Sequence, residues 1–362
     1  MSIVRCILSA YRNIQYFVCG RHKYGIMSPG TLCTHEPFEE DINRGDVVHP
    51  CVRYIPEGYE GHCWWMVYTP YYAANDKTEN PILCYAESND LVPPTHWKIY
   101  CQVQRQPAKG YNSDPNLLYA NGQLYVFWRE SETHRCEDHG FVRATFGGVV
   151  RNGKINNIFG PIVGTSDSEH DTETSPTILQ EPDGSFSCLA MDLTFHSKII
   201  KSLPSPLKSI ASKAALVLDL LGFWSQQKSH GMAQWSCPTV DGKYIHDRTI
   251  KFVNKNPLYR PWHMDFFELE GKLYAIIQTN QCNADICLAA SEDRVNFRFL
   301  GKPLMTNDTC KRLGIYKPTA GVVDGVLYLY YTAQDANNRT LNKLYVTTID
   351  WQSLTNILMR KI

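Results

Sequence analysis

The chain has 362 residues, with 36 Lys+Arg against 36 Asp+Glu, so its formal net charge is zero. That balance excludes the basic excess on which nucleic-acid binding rests, and a content of 43% hydrophobic and 20% charged residues excludes a disordered chain. Aromatic residues at 12%, with 23 Gly and 20 Pro, favour strands and turns over long helices. A chain of this length forms two ordinary domains or one large closed architecture such as a barrel or propeller.

The N-terminal stretch 1–20 carries an early Arg5, but Tyr11-Arg12-Asn13 breaks its apolar run, which makes it a poor signal peptide. A chain trimmed of its signal would read the same way. No segment reaches the ~18 consecutive apolar residues of a membrane span. The 13 Cys are scattered and odd in number, and no C-x-x-C pair occurs. They read as buried small hydrophobes in a reducing compartment, which favours the cytoplasm, with no structural metal site.

Five segments then follow one plan: a polar residue, often before Pro, an apolar strand, a Gly turn, and an aromatic-rich strand. The first runs from His49-Pro50 through a Gly58/Gly61 turn to Trp64–Thr69. The second runs from Asp114-Pro115 through Asn121-Gly122 to Leu124–Arg129, and the third from Ser175-Pro176 through Asp183-Gly184 to Phe186–Met191. The fourth runs from His263-Met264-Asp265 through Glu270-Gly271 to Leu273–Ile277, and the fifth from Lys317-Pro318 through Asp324-Gly325 to Leu327–Tyr331. Asn-Gly, Asp-Gly and Glu-Gly between apolar runs are hairpin signals, because the tight turn needs positive φ. Third strands follow at Ile82–Ala86 and Ile286–Ala290, and each unit has room for a fourth.

Repeated four-stranded antiparallel units predict an all-β, five-bladed β-propeller, one domain over 1–362; a two-sheet sandwich is the alternative. The longest interval, third to fourth, holds a helical insertion at about 198–228, placed between blades three and four. Leu207, Ile210, Ala211, Ala214, Leu218 and Leu221 keep helical spacing over 207–224, among Lys198, Lys201, Lys208, Lys213 and Lys228. Packing on the propeller rim, a substrate-pocket wall, a dimer contact or a basic membrane-surface contact are its readings. Oligomeric state is not legible.

In a propeller the residues entering the first strands meet at one channel mouth. Here these are His49, Asp114, Glu173/Ser175, His263/Asp265 and Tyr316/Lys317, joined at the hairpin returns by Arg129/Glu130 and Asp192. The set is rich in carboxylates and imidazoles.

The pattern His49-Pro50, Trp65–Tyr71, Glu79-Asn80-Pro81-Ile82 and Ser88, with Phe127–Glu130, Pro261–Asp265 and Ile315–Lys317, resembles the five-bladed propeller glycosidases. It is most similar to the β-L-arabinofuranosidases of gut bacteria and, more distantly, to arabinanase and xylosidase propellers. The resemblance implies a glycosidase acting on an oligo- or polysaccharide. Such chemistry takes two carboxyl groups flanking the scissile bond. Candidates are Glu130, Glu173, Asp114 and Asp265. Candidate binding residues are His49, Glu79, Arg129, Asp192, His263, Tyr316 and Lys317, and no cofactor is called for, although sequence does not decide on a divalent ion in the channel. The chain departs from the family between blades three and four, where the insertion and Gln226, Gln227, His230 and Trp235 stand in place of a further acidic residue. A propeller that binds glycan without cleaving it, or a partner or membrane-associated module, is therefore the alternative function. His134, Cys136 and His139 are too loosely spaced for a metal site.

Overall fold

The structure is a computed structural model describing residues 14, 22–36, 46–72, 75–166, 174–195, 203–220, 227–253, 259–279, 284–310, 314–335 and 341–359. Two short strands, β1 (Thr31–Leu32) and β2 (Thr34–His35), come first. The first sheet unit is β3 (Val48–Tyr59), β4 (His62–Thr69), β5 (Ile82–Tyr85) and β6 (His96–Gln102). The second is β7 (Tyr111–Ala120), β8 (Gln123–Ser131), β9 (Arg143–Arg151) and β10 (Lys154–Thr165), with helix α1 (His134–Asp138) between β8 and β9. The third is β11 (Thr174–Gln180), β12 (Phe186–Phe195), β13 (Gln227–Cys237) and β14 (Ile245–Val253), with helix α2 (Ser205–Leu220). The fourth is β15 (Pro261–Leu269), β16 (Lys272–Thr279), β17 (Asp285–Ser291) and β18 (Asn296–Phe299), followed by the short β19 (Met305–Thr306). The last is β20 (Tyr316–Val323), β21 (Val326–Gln334) and β22 (Asn342–Asp350), ahead of helix α3 (Trp351–Met359).

Consecutive strands pair antiparallel within each unit. The last unit gains its fourth strand from the other end of the chain, because β1 pairs with β22 at Thr31↔Val346 and Leu32↔Tyr345. The third and fourth units also join at their outer edges, through parallel pairing of β14 with β18. The leading strands touch in a closed ring, β3–β7–β11–β15–β20–β3.

Four hairpins turn as expected, with positive φ at both central residues of Glu60-Gly61, Asn121-Gly122, Glu270-Gly271 and Asp324-Gly325. That geometry matches the twist of the flanking strands.

Strand alternation sends neighbouring side chains into different inter-sheet gaps. Trp64 packs with Tyr328 and Tyr330 of the last unit. The adjacent Trp65 packs with Leu117, Val126 and Trp128 of the second. Leu118 and Phe127 meet Ile178 and Cys188, while Leu189 and Met191 meet Met264 and Ile277. Ile276 and Ile286 meet Ala320 and Leu329. Each gap thus holds its own core, and removing one of its large side chains costs about 3–5 kcal/mol. The ten cysteines among the described residues are all free, and eight of them are buried.

The insertion lies elsewhere than expected. Helix α2 connects β12 to β13, inside the third unit, because those strands remain paired from Phe186↔Cys237 to Phe195↔Gln227. Its Leu207 and Ile210 are exposed. The expected helical residues 221–224 lie outside the described residues. Among the described residues no helix is long and apolar enough to cross a membrane.

Candidate functional site

Every leading strand starts with one extra residue. Val48↔Thr69 is followed by Cys51↔Val67, Ser113↔Arg129 by Asn116↔Phe127, and Thr174↔Met191 by Thr177↔Leu189. β15 and β20 slip at Pro261/His263 and Tyr316/Thr319. Such bulges bend a strand and re-aim a side chain. In three of them the residue before proline is left-handed: His49 at φ 51°, Asp114 at 47° and Ser175 at 54°. This conformation costs a non-glycine residue roughly 1–2 kcal/mol, and a following proline restricts the backbone further. Strain of that kind concentrates at functional sites.

The bulges deliver one buried cluster. The Asp114 carboxylate lies 3.0 Å from Arg129 Nη2, 3.5 Å from His49 Nε2, and 3.8 Å from both His263 Nδ1 and Lys317 Nζ. Yet neither of its oxygens accepts a hydrogen bond of good geometry. Burial pushes its pKa up, but His49, Arg129 and Lys317 outweigh burial and hold the carboxyl well below the usual range.

Tyr316 Oη bridges the imidazoles, 3.1 Å from His49 Nε2 and 2.7 Å from His263 Nε2. Burial, reinforced by the charges of Asp114 and Glu79, raises the phenol well above its ordinary pKa, so it stays protonated. Behind His49, Nδ1 faces Ser113 Oγ at 3.3 Å and Glu79 Oε2 at 3.5 Å, and Ser113 donates to Glu79. Ser175 Oγ holds His263 Nδ1. Lys317 N donates to Gln278 Oε1 at 2.8 Å, which fixes the start of β20. His49, Asp114 and His263 each bring a possible ligand atom within 4.8 Å of the others, the sole such trio among the described residues.

Burial drives the His263 pKa well below its ordinary value; Asp114 opposes this, while His49, Lys317 and Arg129 add to it. The folded ring therefore stays neutral where an unfolded histidine charges. Stability from this group is full above the unfolded pKa of ~6.5 and is lost as pH falls through it, with a slope of up to about 1.4 kcal/mol per pH unit. Urea melts from pH 5 to 8 should show this rise with pH, and His263→Gln should flatten it.

Of the candidate catalytic and binding residues, His49, Glu79, Asp114, Arg129, His263, Tyr316 and Lys317 come together. Glu130 occupies the opposite face of β8 from Arg129 and is held by Trp128 Nε1 at 3.0 Å, Thr133 Oγ1 at 2.7 Å and Arg135. Asp265 is held by Arg53 at 2.7 and 2.8 Å and by Thr319 Oγ1 at 2.5 Å. Asp192 pairs with Gly231 along β12–β13, and Glu173 lies outside the described residues. Sequence reasoning missed Ser113 as a site residue and placed Ser175 among the residues entering the mouth without giving it a binding role; their one signal is their place at the pre-proline bulges.

The ring of sheets is the β-propeller fold of the family-43 glycoside hydrolases. It is similar to an N-acetylgalactosamine deacetylase from F. plautii in complex with blood group B trisaccharide, at 14% identity over 92% of this chain and 97% of that one, with a TM-score of 0.65. It is also similar to a GH43_1 enzyme from Xanthomonas citri, at 10% identity over 90% of each chain and a TM-score of 0.55. A third similar structure is a mutant of a Cellvibrio cellulosa α-L-arabinanase, at 12% identity over 84% of this chain and 91% of that one, with a TM-score of 0.52. At these identities the likeness is one of fold. No family model and no curated protein matches the sequence.

Proposed function

We propose that the chain is a carbohydrate-acting hydrolase whose centre is the Asp114 cluster. The observation that carries the reading is the buried, ionised Asp114, ringed by two imidazoles and two cations on strained backbone at the propeller mouth. His49, turned by Glu79 and Ser113, presents Nε2 to the mouth as a proton acceptor, in the manner of a carboxylate-oriented base. Tyr316 supplies a hydroxyl that stays protonated, and Lys317 and Arg129 keep Asp114 charged.

Cleavage of a glycosidic bond, an arabinofuranoside first among the candidates, requires a second carboxylate across the bond. Glu79 stands behind His49, while Glu130 and Asp265 are engaged elsewhere, which leaves Glu173 as the partner of choice. A second reading is removal of an acyl group from a sugar. The imidazole-rich site supports it, as does the fold likeness to a protein described as an N-acetylgalactosamine deacetylase.

A panel of plant and mucin-type oligosaccharides, some N- or O-acetylated, separates the two. New reducing ends are expected for glycosidic cleavage and free acetate for deacylation. A folded protein that yields neither across the panel sinks the hydrolase proposal and favours glycan binding alone.

A further inference from the structure

We infer that helix α2 docks on the surface of an anionic lipid bilayer. Its apolar positions Leu207, Ile210, Ala211 and Ala214 recur at helical spacing and form one stripe. Leu207 is 54% and Ile210 65% exposed, and Ala214 is exposed beside them. Apolar side chains that meet solvent as one stripe along a helix mark a contact surface.

The charge around the stripe selects its partner. At about 100° per residue, Lys208 and Lys213 stand on its two flanks, each roughly 110° from its centre. Both are exposed, and neither has an ion-pair partner among the described residues. The exposed Ser205 and Ser209 lie between them on the far side of the helix. Over residues 193–228 the chain carries five Lys against one Asp, whereas the whole chain balances at zero. Lysines bordering an apolar face lay their stems along it and keep their ammonium groups at headgroup level. A second copy of this chain fits the face poorly, because it would set lysine against lysine.

The place of α2 in the chain gives the contact a use. β12 and β13 stay paired from Asp192↔Gly231 to Phe195↔Gln227, beyond Met191, the partner of Thr174 at the start of β11. The arm that carries α2 therefore leaves the ring on the side of the mouth. A bilayer held by α2 brings that side of the ring to the membrane surface, beside glycans carried there. The docking goes beyond the hydrolase proposal and does not depend on it, because its test reads vesicle binding directly.

The full chain is cosedimented with vesicles of phosphatidylcholine alone and of phosphatidylcholine with phosphatidylserine at about 30%, at low and at high salt. Binding is expected to the anionic vesicles at low salt, and at least about 10-fold weaker binding to phosphatidylcholine alone or at high salt. A lysine at such a surface is worth about 5-fold in affinity, so Lys208→Glu with Lys213→Glu should weaken binding about 25-fold or more. Leu207→Asp with Ile210→Asp should abolish it. All four positions are exposed, so both variants should fold, which circular dichroism checks, and should keep the wild-type turnover of any soluble glycan substrate. A wild type that leaves the anionic vesicles unbound, equal binding to both vesicle types, or binding that survives either double substitution overturns the docking. A vesicle-free dimer that Leu207→Asp with Ile210→Asp dissociates, read by sedimentation velocity, gives the face to a second copy and overturns it too.

Discussion

Asp114→Asn should lower turnover of any substrate found in the glycan panel by about 10³-fold or more. Loss of a preorganised charge at a reacting centre costs about 10²–10³ in rate, and removing a group on which base and cations converge costs at least that. The substitution also leaves Arg129 and Lys317 without their counter-charge in a buried setting. Unpaired buried charges cost about 3–5 kcal/mol, so a stability loss will accompany the loss of activity. A second variant separates the two effects. Asp114→Asn combined with Lys317→Met removes one orphaned cation and should recover part of the stability, measured by urea unfolding, with no recovery of turnover. Recovery of both together would reduce Asp114 to a structural role.

Asp265→Ala should do the reverse: a stability loss of about 3–5 kcal/mol, with turnover per folded molecule unchanged. Asp265 is 1% exposed and takes two hydrogen bonds from Arg53 and one from Thr319, across three different units. Deleting it strands the Arg53 guanidinium in the ring of leading strands. Arg53→Met with Asp265→Leu removes both charges and should restore most of the stability, because desolvating a buried pair consumes most of its Coulombic gain. Turnover abolished by Asp265→Ala in a protein of undiminished stability would instead return Asp265 to the catalytic set.

These two residues mark how far the sequence could be read. His263 and Asp265 share one phase of β15, and alternation alone puts both toward the channel. It does not say that Arg53, 212 positions earlier, spends the charge of one of them while the other joins the mouth. Glu130 is a similar case. Its neighbour Arg129 reaches Asp114, but the strand turns Glu130 to the opposite face, where α1 and the residue before it supply Arg135 and Thr133. Ser113 and Ser175 carried no chemical signal, since serine before Asp-Pro or at Ser-Pro reads first as turn chemistry.

By itself the sequence determined the hairpins, the phase of the leading strands and the presence of an inserted helix. These follow from local chemistry: glycine where φ is positive, period-two apolar runs, and helical spacing. Only the tertiary structure decided which charged groups share a site, and that α2 sits within the third unit. Tyr316 meets His49 across 267 residues and β1 completes the sheet of β22 at the far end of the chain. Ring closure and the aim of each bulge set those contacts. The charge state of a buried carboxylate depends on distances to such remote partners, which no local pattern encodes.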